Sequence, residues 1–444
     1  MTSLTQMRSG AHILLKPGAA FLDQAILSGT NFVAAFILIK TVAKEEYGYY
    51  SIALAASLFL VSIQNAVVTT PLAVLLAGKH DEEKDSYAGS LYWGQMMALV
   101  PAAAAGLLSS VALYLYGFHG MKVVMAGCLS FAAAGLLLRE FARAYYFAEQ
   151  SPYTVLLLDS YYAAAFLVLI GVVYRSFRMT AATAFVVMGI SALVATALIK
   201  NRNWIFSWPA IRESYREHWP LAKWSLAGVL VTHLQSYCTL YLTGTMLGSS
   251  AAGSVAASRL PLTPMTLLQT GWNKVAIPRG AHLREAGRLR RFLREQALVA
   301  GVVAAGVAAY AALLWMSAGF LKTFLFNRDY EGALDFIGFW AAINVAVFAG
   351  LTASAGLQVM KEFGAITKIN CATMAVTLVF NVIFIGRYGI KGGLASSLLG
   401  ESLLAVSLWS CLVRRFLQES RLDANQTGKP RALRLSVAGK EASL

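Results

Sequence analysis

The stretch that decides the fold is residues 252–278, AGSVAASRLPLTPMTLLQTGWNKVAIP. Its length and apolar content are those of a membrane-spanning helix, which needs roughly 20 mostly apolar residues to cross the bilayer. The stretch nevertheless contains Arg259, Lys274 and two prolines, Pro261 and Pro264. A charge and a broken helix are both costly in contact with lipid. We therefore expect this helix to face a water-filled cavity inside a membrane protein.

The composition of the whole chain agrees with that expectation. Of its 444 residues, 58% are hydrophobic and only 13% are charged, whereas about a quarter of a soluble domain is charged. The charged N-terminus is not followed by a short apolar core with a small-residue cleavage site, so we predict an uncleaved first span. The four cysteines lie in apolar segments and form no C-x-x-C pair, which predicts neither a disulfide framework nor a metal site.

Twelve segments of the chain are long and apolar enough to be membrane spans. Their approximate limits are 18–39, 50–77, 88–114, 123–146, 152–173, 180–199, 221–246, 252–277, 296–316, 333–357, 364–385 and 392–413. If the N-terminus is inside, the inner segments carry 26 Lys and Arg residues, the outer loops carry nine, and two stay within the eighth span. Because positively charged loops remain in the cytoplasm, both termini are predicted to be cytoplasmic. The net charge of +15 then indicates contact with anionic lipid rather than with nucleic acid.

The longest polar interruption, residues 200–220, divides the spans into six and six. The predicted organisation is a cytoplasmic N-terminus at 1–17, an N-lobe at 18–200, an inter-lobe linker at 201–220, a C-lobe at 221–415 and a basic, disordered cytoplasmic tail at 416–444. A second inner segment, AHLREAGRLRRFLREQ at 281–296, has leucines near helical spacing with arginines between them. It is either an interfacial helix on the inner leaflet or a solvated loop.

The two halves share a weak internal repeat. Residues 47–67, YGYYSIALAASLFLVSIQNAV, align with residues 252–272. The alignment matches Gly48 with Gly253, Gln64 with Gln269 and, after a two-residue slip, Pro71 with Pro278. Parallel repeats related by an axis along the membrane normal are common in transporters, and the substrate site lies near the midplane where they meet. The repeat therefore predicts a central site between two halves.

Residues 23–76, which include EEYGYY and QNAVVTTP, resemble the start of bacterial polysaccharide transport proteins. These proteins belong to the multidrug/oligosaccharidyl-lipid/polysaccharide exporter superfamily. Residues 139–159, REFARAYYFAEQSPYTVLLLD, also resemble the family's link between spans four and five. The resemblance covers the first 160 residues, and the remainder agrees in span count and layout. It implies an all-α integral membrane protein with about 12 transmembrane helices in two six-helix lobes around a central cavity.

The resemblance also implies a function and a set of residues around the cavity. The expected function is flipping of a lipid-linked sugar, usually on undecaprenyl diphosphate, from the inner to the outer leaflet. Spans one, two, seven and eight line the cavity in this superfamily. Their polar residues here are Asp23, Gln24, Asn31, Gln64, Asn65, His233, Gln235, Arg259, Gln269, Asn273 and Lys274. From this set we predict a substrate-binding group of Arg259, Gln64, Gln269, Asn31, Asn65, Asn273 and Lys274.

Arg259 is the strongest candidate for binding a phosphate. Its guanidinium is a planar fork that matches phosphate oxygens, although an ion pair between the lobes would also explain a charge inside a span. Lys274 lies near the inner end of its span, where it either contacts the substrate or extends to the membrane surface. Gln64 and Gln269 occupy repeat-related positions, where each either contacts sugar or hydrogen bonds between helices.

A second group of charges is predicted near the inner surface of the N-lobe. Arg139 and Arg143 are four residues apart on one helix face, and Asp23 and Asp159 lie at similar depth in other spans. These residues form either interhelical ion pairs or a site through which the headgroup reaches the cavity. Two further residues, His233 and Glu401, are candidates for coupling transport to protons or cations. Both have the alternative of being hydrogen-bonded within the helix packing.

The leading function is therefore a flippase for lipid-linked oligosaccharide in surface or exopolysaccharide synthesis, working by alternating access. No phosphate loop of the type G-x-x-x-x-G-K-[ST] is present, so an ATP-driven pump is not expected. The alternatives are a drug/cation antiporter of the same superfamily, a membrane polysaccharide polymerase or ligase, and a peptidoglycan-precursor flippase. The expected partners are the lipid-linked oligosaccharide, membrane lipids and polysaccharide polymerase or export machinery. We expect no cofactor, no nucleic acid, and a location in the bacterial inner membrane.

Overall fold

The computed structural model describes residues 2–76, 78–198, 204–326 and 328–427. Within these ranges the chain is 91% helix and contains no β-strand. The helices of the N-terminal half are α1 Thr2–Thr41, α2 Lys44–Gln64, α3 Thr70–Leu76, α4 Asp81–Leu115, α5 Met121–Ala148, α6 Pro152–Ser176 and α7 Ala181–Leu198. Those of the C-terminal half are α8 Trp208–Met246, α9 Ser249–Arg259, α10 Pro264–Glu285, α11 Leu289–Met316, α12 Ala318–Phe324, α13 Ile337–Val359 and α14 Phe363–Thr427.

Nine helices in the described part of the chain are long and apolar enough to cross a membrane. The last of them, within α14, covers the predicted spans 364–385 and 392–413, and its backbone bends at Gly389, where φ is 62° and ψ is −140°. The predicted seventh and eighth spans correspond to α8 and to the pair α9–α10. Together these helices account for all twelve predicted spans, and they confirm an all-α, multi-pass membrane protein.

The stretch that opened the sequence analysis is a broken helix. Helix α9 has only 11 residues and ends at Arg259. A single 3₁₀ turn, Leu260–Leu262, connects it to α10, which begins at Pro264. Proline lacks a backbone N–H and clashes with the preceding helical turn, so Pro261 and Pro264 each interrupt a regular α-helix at this point. A different interruption, a π-helical turn at Asn65–Thr69, lies between α2 and α3.

Three parts of the chain are more helical than their sequence predicted. Helix α1 begins at Thr2, so the N-terminal segment continues into the first span, and α8 begins within the predicted linker at Trp208. Helix α14 continues to Thr427, so the prediction of disorder is wrong for the first part of the tail. Residues 428–444 lie outside the described part of the chain.

The arginine-rich segment at 281–296 is not a single interfacial helix. Helix α10 ends at Glu285 and α11 begins at Leu289, with Gly287 between them at a φ of 69°. A left-handed residue ends a helix, and glycine adopts that conformation without steric cost. The interfacial-helix prediction is therefore wrong, and the segment forms a sharp turn between two consecutive spans.

Each half of the chain packs mainly on itself, and the halves also contact each other. In the N-terminal half α5 packs on α4 and α7, and α6 packs on α1 and α7; in the C-terminal half α13 packs on α11 and α14. The main contacts between halves are those of the repeat-related helices α2 and α9 and those of α8 with α2 and α4. The space between these interhalf contacts contains the candidate site.

Candidate functional site

A cavity of about 600 Å³ lies between the two halves. Helices α1 and α2 form one wall, and α8, α9, α10, α13 and α14 contribute to the other. The volume is within the range of ligand sites, which is about 300–1,000 Å³. The cavity is thus at the place where the internal repeat predicted a substrate site.

The wall formed by the N-terminal half is mostly apolar. It consists of Asn31, Phe32, Ala35, Tyr47, Tyr50, Ser51, Leu54, Ala55 and Leu58. None of these cavity-lining residues in the described part of the chain is charged. The wall therefore suits hydrocarbon, and Asn31 is the one amide that it offers.

The wall formed by the C-terminal half is polar and contains both charged residues of the lining. Its polar members are Thr232, Gln235, Ser236, Tyr237, Thr239, Arg259, Thr263, Gln269, Asn344, Ser354, Asn370, Ser397 and Glu401. Amides and hydroxyls of this kind donate to and accept from sugar hydroxyl groups. The cavity is therefore amphipathic, with its polar groups concentrated on one side.

Arg259 has an exposed side chain at the break between α9 and α10. Its guanidinium carbon lies 5.5 Å from the ring centroid of Trp340, and the Trp340 indole N–H donates to Ser258 Oγ at 2.9 Å. Among the described residues, no carboxylate lies within ion-pair distance of Arg259. Its hydrogen-bonding fork therefore lies against an aromatic face and lines the cavity, and no described carboxylate is in direct contact with it.

Glu401 lies in α14 on the same wall, with a half-buried side chain. The Gln235 side chain is within hydrogen-bonding reach of this carboxylate, and Arg259 is near enough to attract it electrostatically. The two groups have opposite charges, and they also differ in solvent exposure. The guanidinium is exposed, whereas the carboxylate packs among neighbouring side chains.

Gln269 and Asn344 form a hydrogen-bonded pair in the cavity wall. Gln269 Nε2 donates to Asn344 Oδ1 at 3.1 Å, and Asn344 Nδ2 donates to the Trp340 carbonyl at 2.8 Å. This chain of bonds orients both amides and links them to the tryptophan under Arg259. The structure therefore places Gln269, Arg259 and Asn31, three of the predicted substrate-binding residues, around the cavity, and their binding role stays a prediction.

The structure does not bring Gln64, Asn65 or His233 to the lining of this cavity. The contacts of Gln64 are those of its alternative, a hydrogen bond between helices. Gln64 Nε2 donates to Gln95 Oε1 at 3.0 Å and to the Leu137 carbonyl at 2.8 Å, which holds it between helices. Asn65 Oδ1 accepts a hydrogen bond from the Thr69 hydroxyl.

His233 is instead part of an aromatic stack between the halves. Its ring lies 4.6 Å from that of Phe59 in α2 and 4.7 Å from that of Tyr237, and its Nε2 is 3.0 Å from the Tyr241 hydroxyl. These contacts correspond to the packing alternative for His233. Two other predicted residues, Asn273 and Lys274, lie in α10, but their side chains are outside the described part of the structure.

The predicted charges of the N-terminal half form one buried network. Arg143 uses Nε for Asp159 Oδ2 at 2.6 Å, Nη2 for Asp23 Oδ2 at 3.0 Å and Nη1 for Glu140 Oε2 at 2.8 Å. Arg139 lies 3.8 Å from Asp159 Oδ1. All three guanidinium nitrogens of Arg143 are therefore bonded to carboxylates. Because these carboxylates lie in α1, α5 and α6, the network links the three helices by ion pairs.

Sequence reasoning missed several residues of the site, among them Asn344 and Trp340, because it placed the cavity in spans one, two, seven and eight. Both lie in α13, which corresponds to the tenth predicted span. A signal was available: Asn344 is an amide in the apolar stretch WAAINVAVFAG, and polar groups inside spans mark packing or substrate contacts.

Comparisons with known proteins concern the fold. No family model matches the sequence, and no curated protein matches it. Among solved structures, an inward-facing multidrug resistance MATE family transporter of the MOP superfamily aligns with a TM-score of 0.67 and 13% identity over 93% of this chain and all of its own. The lipid II flippase MurJ, in an inward closed conformation, aligns with a TM-score of 0.65 and 13% identity over 90% of this chain and 87% of its own.

A third structure is a MOP superfamily transporter from Pyrococcus furiosus, described as having a binding pocket of reverse polarity. It aligns with a TM-score of 0.61 and 14% identity over 89% of this chain and 93% of its own. These alignments extend over nearly the whole of each chain. The protein therefore has the helical fold of the MOP superfamily transporters.

Proposed function

We propose that this protein is a flippase that moves a lipid-linked oligosaccharide, of the undecaprenyl-diphosphate type, from the inner to the outer leaflet of the bacterial inner membrane. The observation that carries the proposal is the exposed Arg259 in a central cavity, without a carboxylate partner among the described residues. An unpaired charge inside a span is costly and marks a substrate path by default.

The chemistry of Arg259 suits a diphosphate. A guanidinium binds phosphate oxygens through two parallel hydrogen bonds, and such charge-assisted bonds are roughly twice as strong as neutral ones. The Trp340 ring beneath the guanidinium limits its motion, which lowers the entropy cost of binding. The hydrogen-bonded pair Gln269 and Asn344 lies on the same wall and offers amide groups to the first sugar.

The unequal walls suit an amphipathic cargo. The polar wall of the C-terminal half would hold the phosphates and sugars, while the apolar wall of α1 and α2 would lie against the start of the lipid chain. Transport would proceed by alternating access, in which the two halves rock and expose the cavity to each side in turn. Both chain termini are assigned to the cytoplasm on the basis of the positive inner loops.

A drug/cation antiporter is the second candidate, because MATE transporters share the fold and because Glu401 is an acidic group in the cavity. An organic cation would need an accessible carboxylate, yet the accessible charge is the Arg259 guanidinium. A polysaccharide polymerase or ligase is less well supported, since the neighbouring folds named above are transporters. The partners that we propose are the lipid-linked oligosaccharide, membrane lipids and the polymerase or export machinery that uses the product.

The test is mass spectrometry of lipid-linked sugars in cells that lack the gene, combined with lectin access to report the leaflet in which they lie. Complementation would use the wild type, Arg259→Ala and, as a matched control, Arg279→Ala. Arg279 is an exposed arginine that binds Glu295 at 2.8 Å outside the cavity.

If the proposal is correct, the complete lipid-linked oligosaccharide accumulates on the inner leaflet, and wild type and Arg279→Ala restore export while Arg259→Ala does not. Arrival of the unpolymerised lipid-linked unit in the outer leaflet would assign the protein to polymerisation or ligation. Unchanged lipid-linked sugars, with altered resistance to organic cations, would favour the antiporter.

A further inference from the structure

The repeat-related glycines Gly48 and Gly253 face each other across the two halves. Gly48 lies in the first turns of α2, and Gly253 lies in the corresponding turns of α9. The charge distribution assigns this end of both helices to the outer side of the membrane. A weak repeat in the sequence is thus a direct contact in the structure.

The backbones of the two helices meet here without side chains between them. A methyl group added to Gly48 would overlap the Ser249 carbonyl and would lie 3.0 Å from the Gly253 nitrogen. A methyl group added to Gly253 would overlap the Lys44 carbonyl and would lie 3.2 Å from the Gly48 nitrogen. Because the obstacles are backbone atoms of helices, they cannot move aside as a flexible side chain can.

Neighbouring residues complete a seal at the same end. Lys40 Nζ, at the end of α1, donates to the carbonyls of Thr323 at 2.8 Å and Phe326 at 2.9 Å. The ring of Tyr47, next to Gly48, meets the Tyr330 ring edge-on at 6.1 Å. The N-terminal half therefore contacts the C-terminal half over the outer end of the cavity through both backbone and side-chain groups.

We propose that Gly48 and Gly253 are the positioning residues of an outer gate, whose contact closes the cavity from the outside and separates when the cavity opens outward. The proposal rests on the proposed alternating-access transport. Small residues let membrane helices approach closely, and here the two glycines let the backbones of α2 and α9 touch. A side chain at either position would prevent closure while leaving the open arrangement free of clashes.

The experiment measures the access of a membrane-impermeant maleimide to a cavity cysteine from outside intact cells. The reporter is Leu54→Cys, on the apolar cavity wall, in a chain whose four cysteines are replaced by serine or alanine. Gly48→Ala and Gly253→Ala are compared with Gly29→Ala, since a methyl group at Gly29 in α1 would meet no atom within 4 Å. Cells without the lipid-linked sugar are used, so that the result does not depend on the cargo.

We expect each gate variant to raise the labelling rate about tenfold or more over the parent, because a clash in the closed state shifts the population toward the open one. Gly29→Ala should label at the parent rate. Equal labelling in all variants would overturn the gate, whatever the transport assay shows. Failure of Gly48→Ala and Gly253→Ala to accumulate as folded protein would also overturn it, because a contact that separates in each cycle cannot be required for folding.

Discussion

Two arginines in the membrane-spanning region, Arg143 and Arg259, have opposite surroundings. Arg143 binds three carboxylates on three helices and is mostly buried. Arg259 lies against Trp340 and is exposed to the cavity, with no ion pair among the described residues. A guanidinium whose N–H groups are all bonded to carboxylates has no donor left for a ligand. A guanidinium without carboxylate partners keeps its donors available. The side chains that contact an arginine, rather than its position within a predicted span, therefore distinguish a structural role from a binding role.

The largest expected effect tests the structural side of this comparison. Replacing Asp159 with alanine would leave Arg143 and Arg139 without their shared carboxylate in a buried position. Breaking a buried ion pair by removing one partner costs about 3–5 kcal/mol. We expect Asp159→Ala to reduce the amount of folded protein in membranes and to lower the thermal unfolding midpoint in detergent.

The control for that variant is Glu295→Ala, which removes ion pairs that Arg279 and Arg291 make at the exposed start of α11. Exposed pairs contribute only about 0–1 kcal/mol, so its unfolding midpoint should remain close to that of the wild type. A midpoint for Asp159→Ala equal to that of Glu295→Ala would mean that the buried network does not hold the helices together.

The proposed phosphate-binding role of Arg259 is tested by replacing its guanidinium with an ammonium group. Arg259→Lys keeps the charge but loses the planar fork that matches phosphate. We expect the rate of outer-leaflet appearance per folded molecule to fall about tenfold, and to fall further in Arg259→Ala. Thermal unfolding should change little in both, because the side chain is exposed. Transport at the wild-type rate in Arg259→Lys would show that charge alone is recognised.

The repeat-related glutamines extend the comparison to neutral groups. Gln64→Leu would leave the buried Gln95 Oε1 without its donor, which costs about 1–3 kcal/mol, while the Leu137 carbonyl would keep its second donor, Gln95 Nε2 at 3.3 Å. Gln269→Leu changes a group at the cavity wall, so we expect reduced transport with a nearly unchanged unfolding midpoint. Measuring both quantities in both variants tests the assignment. A larger loss of stability in Gln269→Leu than in Gln64→Leu would contradict the assignment of Gln64 to helix packing and of Gln269 to the cavity.

The smallest expected effect concerns His218 in the N-terminal part of α8. Burial lowers the pKa of His218 below its ordinary value, because the charged imidazolium is poorly solvated there. The unfolded chain therefore binds more protons, and stability should fall as the pH drops below the ordinary pKa of about 6.5. We expect the unfolding midpoint of the wild type to decrease from pH 7.5 to pH 5.5, and His218→Gln to show a smaller decrease. An identical pH dependence in the two proteins would assign it to other groups.

The sequence predicted the elements of the site unevenly. Arg259 and Glu401 could be recognised because a charge in an apolar helix stands out against its neighbours. The contrast between Gln64 and Gln269 could not be predicted, since both are amides at repeat-related positions and only their neighbours differ. The helix break after Arg259 was predictable from Pro261 and Pro264, whereas the exact turn at Leu260–Leu262 depends on the packing around it.

The sequence by itself determined that this is an all-α, multi-pass membrane protein. Apolar length, the distribution of positive charge and proline positions are local properties, and the bilayer acts on each segment in the same way. Only the tertiary structure decided that the hydrogen-bonding groups of Arg143 are occupied by carboxylates while those of Arg259 are not, that both charges and most polar groups of the cavity lie on one wall, and that Gly48 touches Gly253. These facts depend on distances between helices that are far apart in the chain, which local patterns do not encode.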